Sequence, residues 1–127
     1  MRFNDKKRAA NEFGKYAEEK AAHEYIKEGY TILERNWRLG KTEIDIIAQR
    51  DDTIVLIEVK ARKSNEEDAL SAVTHDKRRR MVRAADSYLR SLTGDYRYRF
   101  DIVACSGEIP DIKLEIFKDA FLSVDLF

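Results

Sequence analysis

The sequence predicts an α/β domain, a mixed β-sheet built on a central hairpin and flanked by helices in the order α-β-β-β-α-β-β. Three observations predict it. Two Ile- and Val-rich runs, 43–48 and 53–59, flank a polar break at Gln49–Thr53 and read as a hairpin. Two longer stretches, Lys7–Glu28 and Thr74–Leu92, repeat apolar residues at helical spacing, and each closes near a glycine, Gly29 or Gly94. Two further apolar runs, Tyr98–Cys105 and Ile112–Phe117, follow the second helix on either side of Gly107–Pro110. At 127 residues the chain reads as one domain, 1–127, long enough for a proper core.

In the first helix Glu18 is the informative residue. Its wheel neighbours Gly14, Ala21, Ala22 and Tyr25 are small or apolar, whereas Glu19 sits among Glu12, Lys15 and His23. One glutamate therefore points to the core and the other to water. Glu18 either snorkels at the stripe's edge, or bonds a buried tyrosine, or joins a polar site on the sheet. His23 has no ligand-type neighbour and reads as a surface residue.

The first strand, Tyr30–Arg38, carries Trp37, read as a core anchor in preference to a base-stacking ring. In the hairpin, a loop at Asp51–Asp52 makes every opposed pair of residue numbers sum to 103. Asp45 then faces Glu58, Glu43 faces Lys60, and all four project from one side. Ile44, Ile46, Val55, Ile57 and Val59 fill the other. A ladder of charge pairs suits Glu43 and Lys60. It does not suit Asp45 opposite Glu58, where like charges repel unless a divalent cation lies between them. Ladder and cation site both remain open from geometry alone.

Arg62–Val73 reads as a polar, mobile linker with an acidic centre at Glu66–Asp68. The second helix takes Thr74 as N-cap and Met81, Ala84, Ala85, Tyr88, Leu89 and Leu92 as its apolar stripe. Lys77 lies on that stripe one turn earlier, near the sheet, and reads as a phosphate ligand at the site's rim. Arg79, Arg80, Arg83 and Arg90 fall away from it, as backbone contacts or solvated charges. Asp101, just before Ile102–Cys105, is a weaker polar candidate.

Charge supports no strong argument for a polyanionic partner, because Lys plus Arg and Asp plus Glu are each 24. Its distribution is uneven: His75–Arg99 holds eight Lys or Arg against three Asp, and Gly107–Phe127 five acids against two lysines. Charged residues at 38% and apolar ones at 43% exclude a disordered chain. The single Cys105 cannot form an intramolecular disulfide and reads as a core residue. There is no secretory signal and no membrane-length apolar run, so a cytoplasmic location is expected. Phosphate-binding loops, glycine-rich nucleotide fingerprints, paired CxxC motifs and internal repeats are absent from the sequence.

Asp45, twelve intervening residues and then Glu58-Val59-Lys60 resemble the D…(D/E)xK signature of the restriction-endonuclease-like PD-(D/E)xK superfamily. Several stretches resemble the YraN family, uncharacterised bacterial proteins with relatives among Holliday-junction resolvases. They are GKYAEEKA (14–21), GYTILERNWR (29–38), EIDIIA (43–48), IEVKAR (57–62), the Lys77 helix and RFDIVA (99–104), spanning about residues 12–104. Ile44 stands where the superfamily often has proline before the aspartate, and Thr42 where the family commonly has glycine.

The resemblance implies a restriction-endonuclease-like core and metal-dependent hydrolysis of phosphodiester bonds. Asp45 and Glu58 would hold Mg²⁺ or Mn²⁺, joined by the Val59 carbonyl, by Glu18 and by Glu43. Lys60 would orient the attacking water and stabilise developing charge. Lys77, Arg79, Arg80, Arg83 and Arg62 would hold the nucleic-acid backbone. Nothing reads base edges, so selectivity would be for branched or otherwise structured DNA, and a homodimer would suit a symmetric junction. The alternative is a non-catalytic nucleic-acid-binding or scaffold protein that retains the fold.

Overall fold

A strand that is apolar on both faces belongs in the middle of a sheet, and 53–59 is such a strand: Ile54 to Glu58 are all buried. The computed structural model describes residues 3–61 and 70–122. Over these the chain runs α1 (Phe3–Lys27), β1 (Thr31–Leu39), β2 (Thr42–Arg50), β3 (Thr53–Ala61), α2 (His75–Arg90), β4 (Arg97–Glu108) and β5 (Asp111–Phe121). The expected order holds. The five strands lie side by side in chain order, antiparallel except between β3 and β4, which are parallel. A parallel pair needs a long crossover, and α2 is part of it.

The two helices cover opposite faces. On one, Ala17, Ala21, Ala22 and Tyr25 of α1 pack with Ile46, Val55, Ile57 and Val103. On the other, Met81, Ala84, Ala85 and Tyr88 of α2 pack with Ile47, Ile54, Leu56 and Ile102. Trp37 joins this second cluster, edge to face on Tyr88 at 5.2 Å, and is the anchor its sequence context predicts. Cys105 is a buried core residue, and burial pushes its thiol up to about 12. No helix among the described residues is long and apolar enough to cross a membrane.

The end of α1 and the start of α2 are as their sequences suggest, whereas α2 stops at Arg90 with Ser91 as its C-cap, short of the expected Leu92 and Gly94. Gly29 adopts φ 91, its N–H reaches the Ile26 carbonyl at 3.0 Å, and Tyr30 N–H reaches the Tyr25 carbonyl at 3.0 Å. This pair of bonds is the glycine-dependent helix stop in which two orphan carbonyls are satisfied at once. Thr74 caps α2 by accepting from the Lys77 N–H at 3.2 Å. The start of α1 departs from expectation. The helix begins at Phe3, although Asp5–Glu12 are all exposed and cover no core.

Two expectations need correction. The end of the presumed linker is structural: Val73 is 1% exposed and Leu70 packs beside it. Arg78 fixes that segment by donating to the Leu70 and Val73 carbonyls, both at 2.9 Å, and stacks over the Phe121 ring. The rest of the linker, including Glu66–Asp68, lies outside the described residues. Asp101 is no part of a surface site. It is fully buried and accepts from Tyr25 Oη at 2.6 Å, from Arg99 Nε at 3.0 Å and from the Asp119 N–H at 3.0 Å, while Arg99 also donates to Tyr30 Oη at 2.8 Å. Every lone-pair direction this carboxylate uses is spent on tying α1, β4 and β5 together.

Candidate functional site

The hairpin has the register its two-residue loop dictates, with Arg50 opposite Thr53 through to Ile46 opposite Ile57. The regular pairing ends there. Asp45 turns its carboxylate onto its own sheet, and Oδ2 accepts the Val59 N–H at 2.8 Å. Across the strand pair on the other side, the β1–β2 ladder passes over Asn36 and Asp45, and Asn36 has φ 51. A left-handed residue inside a strand reverses the alternation of faces. Arg35 therefore reaches α1, where it meets Glu19 at 2.9 Å, while Trp37 packs on α2. Asparagine tolerates this conformation better than most residues.

That local break corrects the predicted face assignment. Ile46, Val55, Ile57 and Val59 share the α1 side, but Ile44 packs with the α2 cluster. The β2–β3 ladder stops at Ile46 and Ile57, so neither Asp45–Glu58 nor Glu43–Lys60 is a ladder pair, and on its other side Glu43 is paired with Arg38 of β1, which it meets at 3.2 Å. The result is a polar notch at the end of the hairpin, where the two sheet faces meet.

An open cleft of about 450 Å³ exposes this notch. Its sheet wall is made by Glu43, Asp45, Glu58, Val59 and Lys60, and its helical wall by Gly14, Lys15 and Glu18 of α1, with Asn36 between them. Five of the predicted site residues thus converge with Glu18. Lys77 is nearer than predicted: its ammonium lies 3.9 Å from Glu58 Oε2 and donates to the Glu43 carbonyl at 3.3 Å. Lys60 approaches Glu58 Oε1 at 3.4 Å.

Electrostatics single out the acids. Glu58 is only 5% exposed, and Oε2 is buried with no hydrogen-bond partner. Burial, then the charge of Asp45, pushes its pKa to about 7, against the opposing pull of Lys77 and Lys60. Asp45 is raised too, by burial first and also by Glu43, although the Val59 N–H favours its charged form. Glu18 follows for the same reasons, burial and then Asp45, with its Oε1 accepting from Asn36 Nδ2 at 3.1 Å. Four carboxylates, one of them Glu43 already paired with Arg38, meet the ammonium groups of Lys15, Lys60 and Lys77, so acids outnumber ammonium groups here.

What could hold a cation is the Asp45–Glu58 pair, the Val59 carbonyl and, flanking them, Glu18 and Glu43. Among the described residues, no three carboxylate, imidazole or thiol groups converge closely enough to enclose an ion by themselves. The basic helix is less available than its sequence implies. Arg79 pairs with Asp76 at 2.9 Å and Arg90 with Asp86 at 3.2 Å, whereas Arg80 and Arg83 are exposed. Arg62 lies outside the described residues. His23 is exposed on the outer face of α1, as expected.

Asn36, Gly14 and Lys15 line the cleft although sequence reasoning did not assign them to the site, and so do Ala10, Asn11, Ala17 and Ala61. An asparagine interrupting the strand Tyr30–Arg38 was the available signal for the first. A glycine within a helix was the signal for the second.

The model of "Uncharacterised protein family UPF0102" matches residues 17–105, a span that includes Glu18, Glu43, Asp45, Glu58, Lys60 and Lys77. A UPF0102 protein of Phocaeicola vulgatus is 44% identical over 115 residues, covering 87% of this chain and 93% of the relative. One from Bacteroides thetaiotaomicron is 42% identical over 117 residues, covering 87% and 93%. One from Flavobacterium psychrophilum is 40% identical over 112 residues, covering 87% and 94%. The YraN-like resemblance of the sequence motifs and these alignments converge: the chain belongs to the UPF0102 family.

Proposed function

We propose that the chain is a metal-dependent nuclease of the restriction-endonuclease-like kind, hydrolysing phosphodiester bonds of DNA and selecting structure rather than sequence. One observation carries the reading. Glu58 is a buried carboxylate with an orphaned oxygen, beside a second carboxylate, at the floor of an open cleft. Buried charges are paired or bind metals, and the lysines at 3.4 and 3.9 Å leave Oε2 without a hydrogen bond.

The donor set suits a hard divalent ion. Mg²⁺ keeps several of its waters and is held by one or two carboxylates plus substrate phosphate, so a third converging acid is not required. Asp45 and Glu58 would hold Mg²⁺ or Mn²⁺, with the Val59 carbonyl, and with Glu18 and Glu43 directly or through water. Bound there, the ion supplies a more acidic water and shields the phosphate's charge. Lys60, on the same strand as Glu58, orients the attacking water and meets negative charge as it develops. Lys77, anchored on the Glu43 carbonyl, carries a second positive charge to the same spot. Arg80 and Arg83 contact the nucleic-acid backbone further along α2, and Arg79 does so on leaving Asp76.

A second reading, a binder without turnover, draws on the lack of a third converging acid among the described residues. Cleavage of labelled single-stranded, duplex, flap and four-way-junction DNA in Mg²⁺, Mn²⁺ or EDTA tests both. A nuclease cuts only with metal, and Glu58→Ala abolishes cutting while retaining binding. Absence of metal-dependent cleavage on every substrate sinks the proposal and favours the binder.

A further inference from the structure

Gly14 lies inside α1, where glycine is the least favourable residue after proline. Nothing in the chain accounts for it. A Cβ built at this position meets no atom within 4 Å, so packing does not exclude a larger side chain. Ala10 and Ala17 lie one turn to either side, and all three line the cleft whose opposite wall holds Asp45, Glu58 and Lys60. The helix thus presents its smallest side chains to a cleft that Glu58, whose Oε2 is buried without a hydrogen bond, also lines. Space kept open beside an unsatisfied polar atom is space for a ligand.

The surroundings say what kind. The half of α1 from Asp5 to Glu12 is exposed and covers no core, and it reaches the cleft at Ala10 and Asn11. Between residues 5 and 15 it carries four cations, Lys6, Lys7, Arg8 and Lys15, against Asp5 and Glu12. Lys15 lines the cleft itself, and Lys60 faces it from the sheet. A phosphodiester backbone meets this charge pattern. A cleft of about 450 Å³ is the size of a small-ligand pocket. It accepts a phosphate with its neighbouring sugars. A duplex, whose major groove alone is about 12 Å wide, is too bulky for a cleft of that volume to enclose.

We infer that the Ala10–Gly14–Ala17 face of α1 and the Asp45–Glu58–Lys60 wall form a slot for one unpaired polynucleotide strand, which passes over Gly14. The inference deepens the nuclease reading and rests on it for the role of the carboxylates. It identifies the preferred substrate feature as an unpaired strand, such as a flap, an end or an opened arm.

The test uses fluorescence anisotropy with labelled single-stranded DNA, single-stranded RNA and blunt duplex DNA of one sequence, in Ca²⁺. The full chain is compared with Gly14→Leu, and with His23→Leu as a control for an added apolar side chain on the outer face of α1. Leucine favours helix more than glycine does, so Gly14→Leu should melt at or above the wild-type temperature, which separates a filled slot from a failed fold. The expected result is that a single strand binds about tenfold or more tighter than duplex. Gly14→Leu should weaken that binding about tenfold or more, and His23→Leu should match wild type. Whichever of DNA and RNA binds more tightly identifies the sugar. Wild-type single-strand binding by Gly14→Leu, equal binding of duplex, or no binding of any strand overturns the slot. Selective binding lost in Gly14→Leu, without cleavage in Mg²⁺, sustains the slot and sinks hydrolysis alone.

Discussion

Replacing Glu58 with glutamine removes a charge that the fold disfavours, so the variant should gain stability in the absence of metal. The size follows from the environment of the carboxyl. In the folded chain it titrates at about 7, against an ordinary value of 4.5. A raised carboxyl pKa means that the folded state binds the proton more tightly than the unfolded state does. The neutral form's advantage is complete below 4.5, declines between 4.5 and about 7, and is gone above that. The separation corresponds to about 3 kcal/mol at most. Part of it comes from the charge of Asp45, which raises the Glu58 carboxyl after burial does. Urea unfolding in EDTA, followed by far-ultraviolet circular dichroism, reads the difference directly. At pH 5 the glutamine variant should lead by no more than about 1 kcal/mol, and at pH 8.5 it should be more stable by about 2–3 kcal/mol. Added Mg²⁺ should raise wild type alone and close the gap. A variant that is less stable at pH 8.5, or a difference that does not change with pH, refutes the description of Glu58 as a buried, underpaired charge.

Other substitutions test the scaffold. Asp101→Asn removes a fully buried carboxylate from its pairing with part-buried Arg99 and should cost about 3–5 kcal/mol in chemical unfolding; a loss under about 1 kcal/mol would mean the Tyr25–Asp101–Arg99 network is dispensable. Asn36→Ala should cost about 1–2 kcal/mol through its left-handed backbone, whereas Asn36→Gly should keep the backbone and lose only the bond to Glu18. Equal losses in the two would contradict the strain argument. Thr74→Ala should lower stability by about 1 kcal/mol through the lost cap of α2, and an unchanged melting temperature would show that the Lys77 N–H finds another acceptor.

The hairpin was legible because its signals are local. Alternating Ile and Val, a polar break and a two-residue loop fix the pairing of Arg50 with Thr53, and the register follows as far as Ile46 and Ile57. Legibility ends where a side chain replaces the backbone. The Asp45 carboxylate takes the Val59 N–H, and the φ of Asn36 turns β1 over, neither of which leaves a mark on hydropathy. Ile44 and Glu43 were misassigned for that reason. Asp101 was illegible for another: its partner Tyr25 is 76 residues away, and only the folded sheet brings them together. The exposed start of α1 carries no apolar periodicity, so nothing in the pattern announced a helix from Phe3. Glu18, by contrast, stood out because one acid interrupted a small, apolar stripe, and it does line the cleft.

The central claim is that Asp45 and Glu58 are a cation site, and calorimetric titration with Mn²⁺ tests it most directly. Wild type and Glu58→Gln would be titrated at pH 6 and pH 8. Because Glu58 titrates at about 7, wild type should bind roughly tenfold more tightly at pH 8 than at pH 6 as the competing proton is lost. The glutamine variant should bind weakly at both. Equal Mn²⁺ affinity in the two proteins, or wild-type affinity indifferent to pH, would contradict the account.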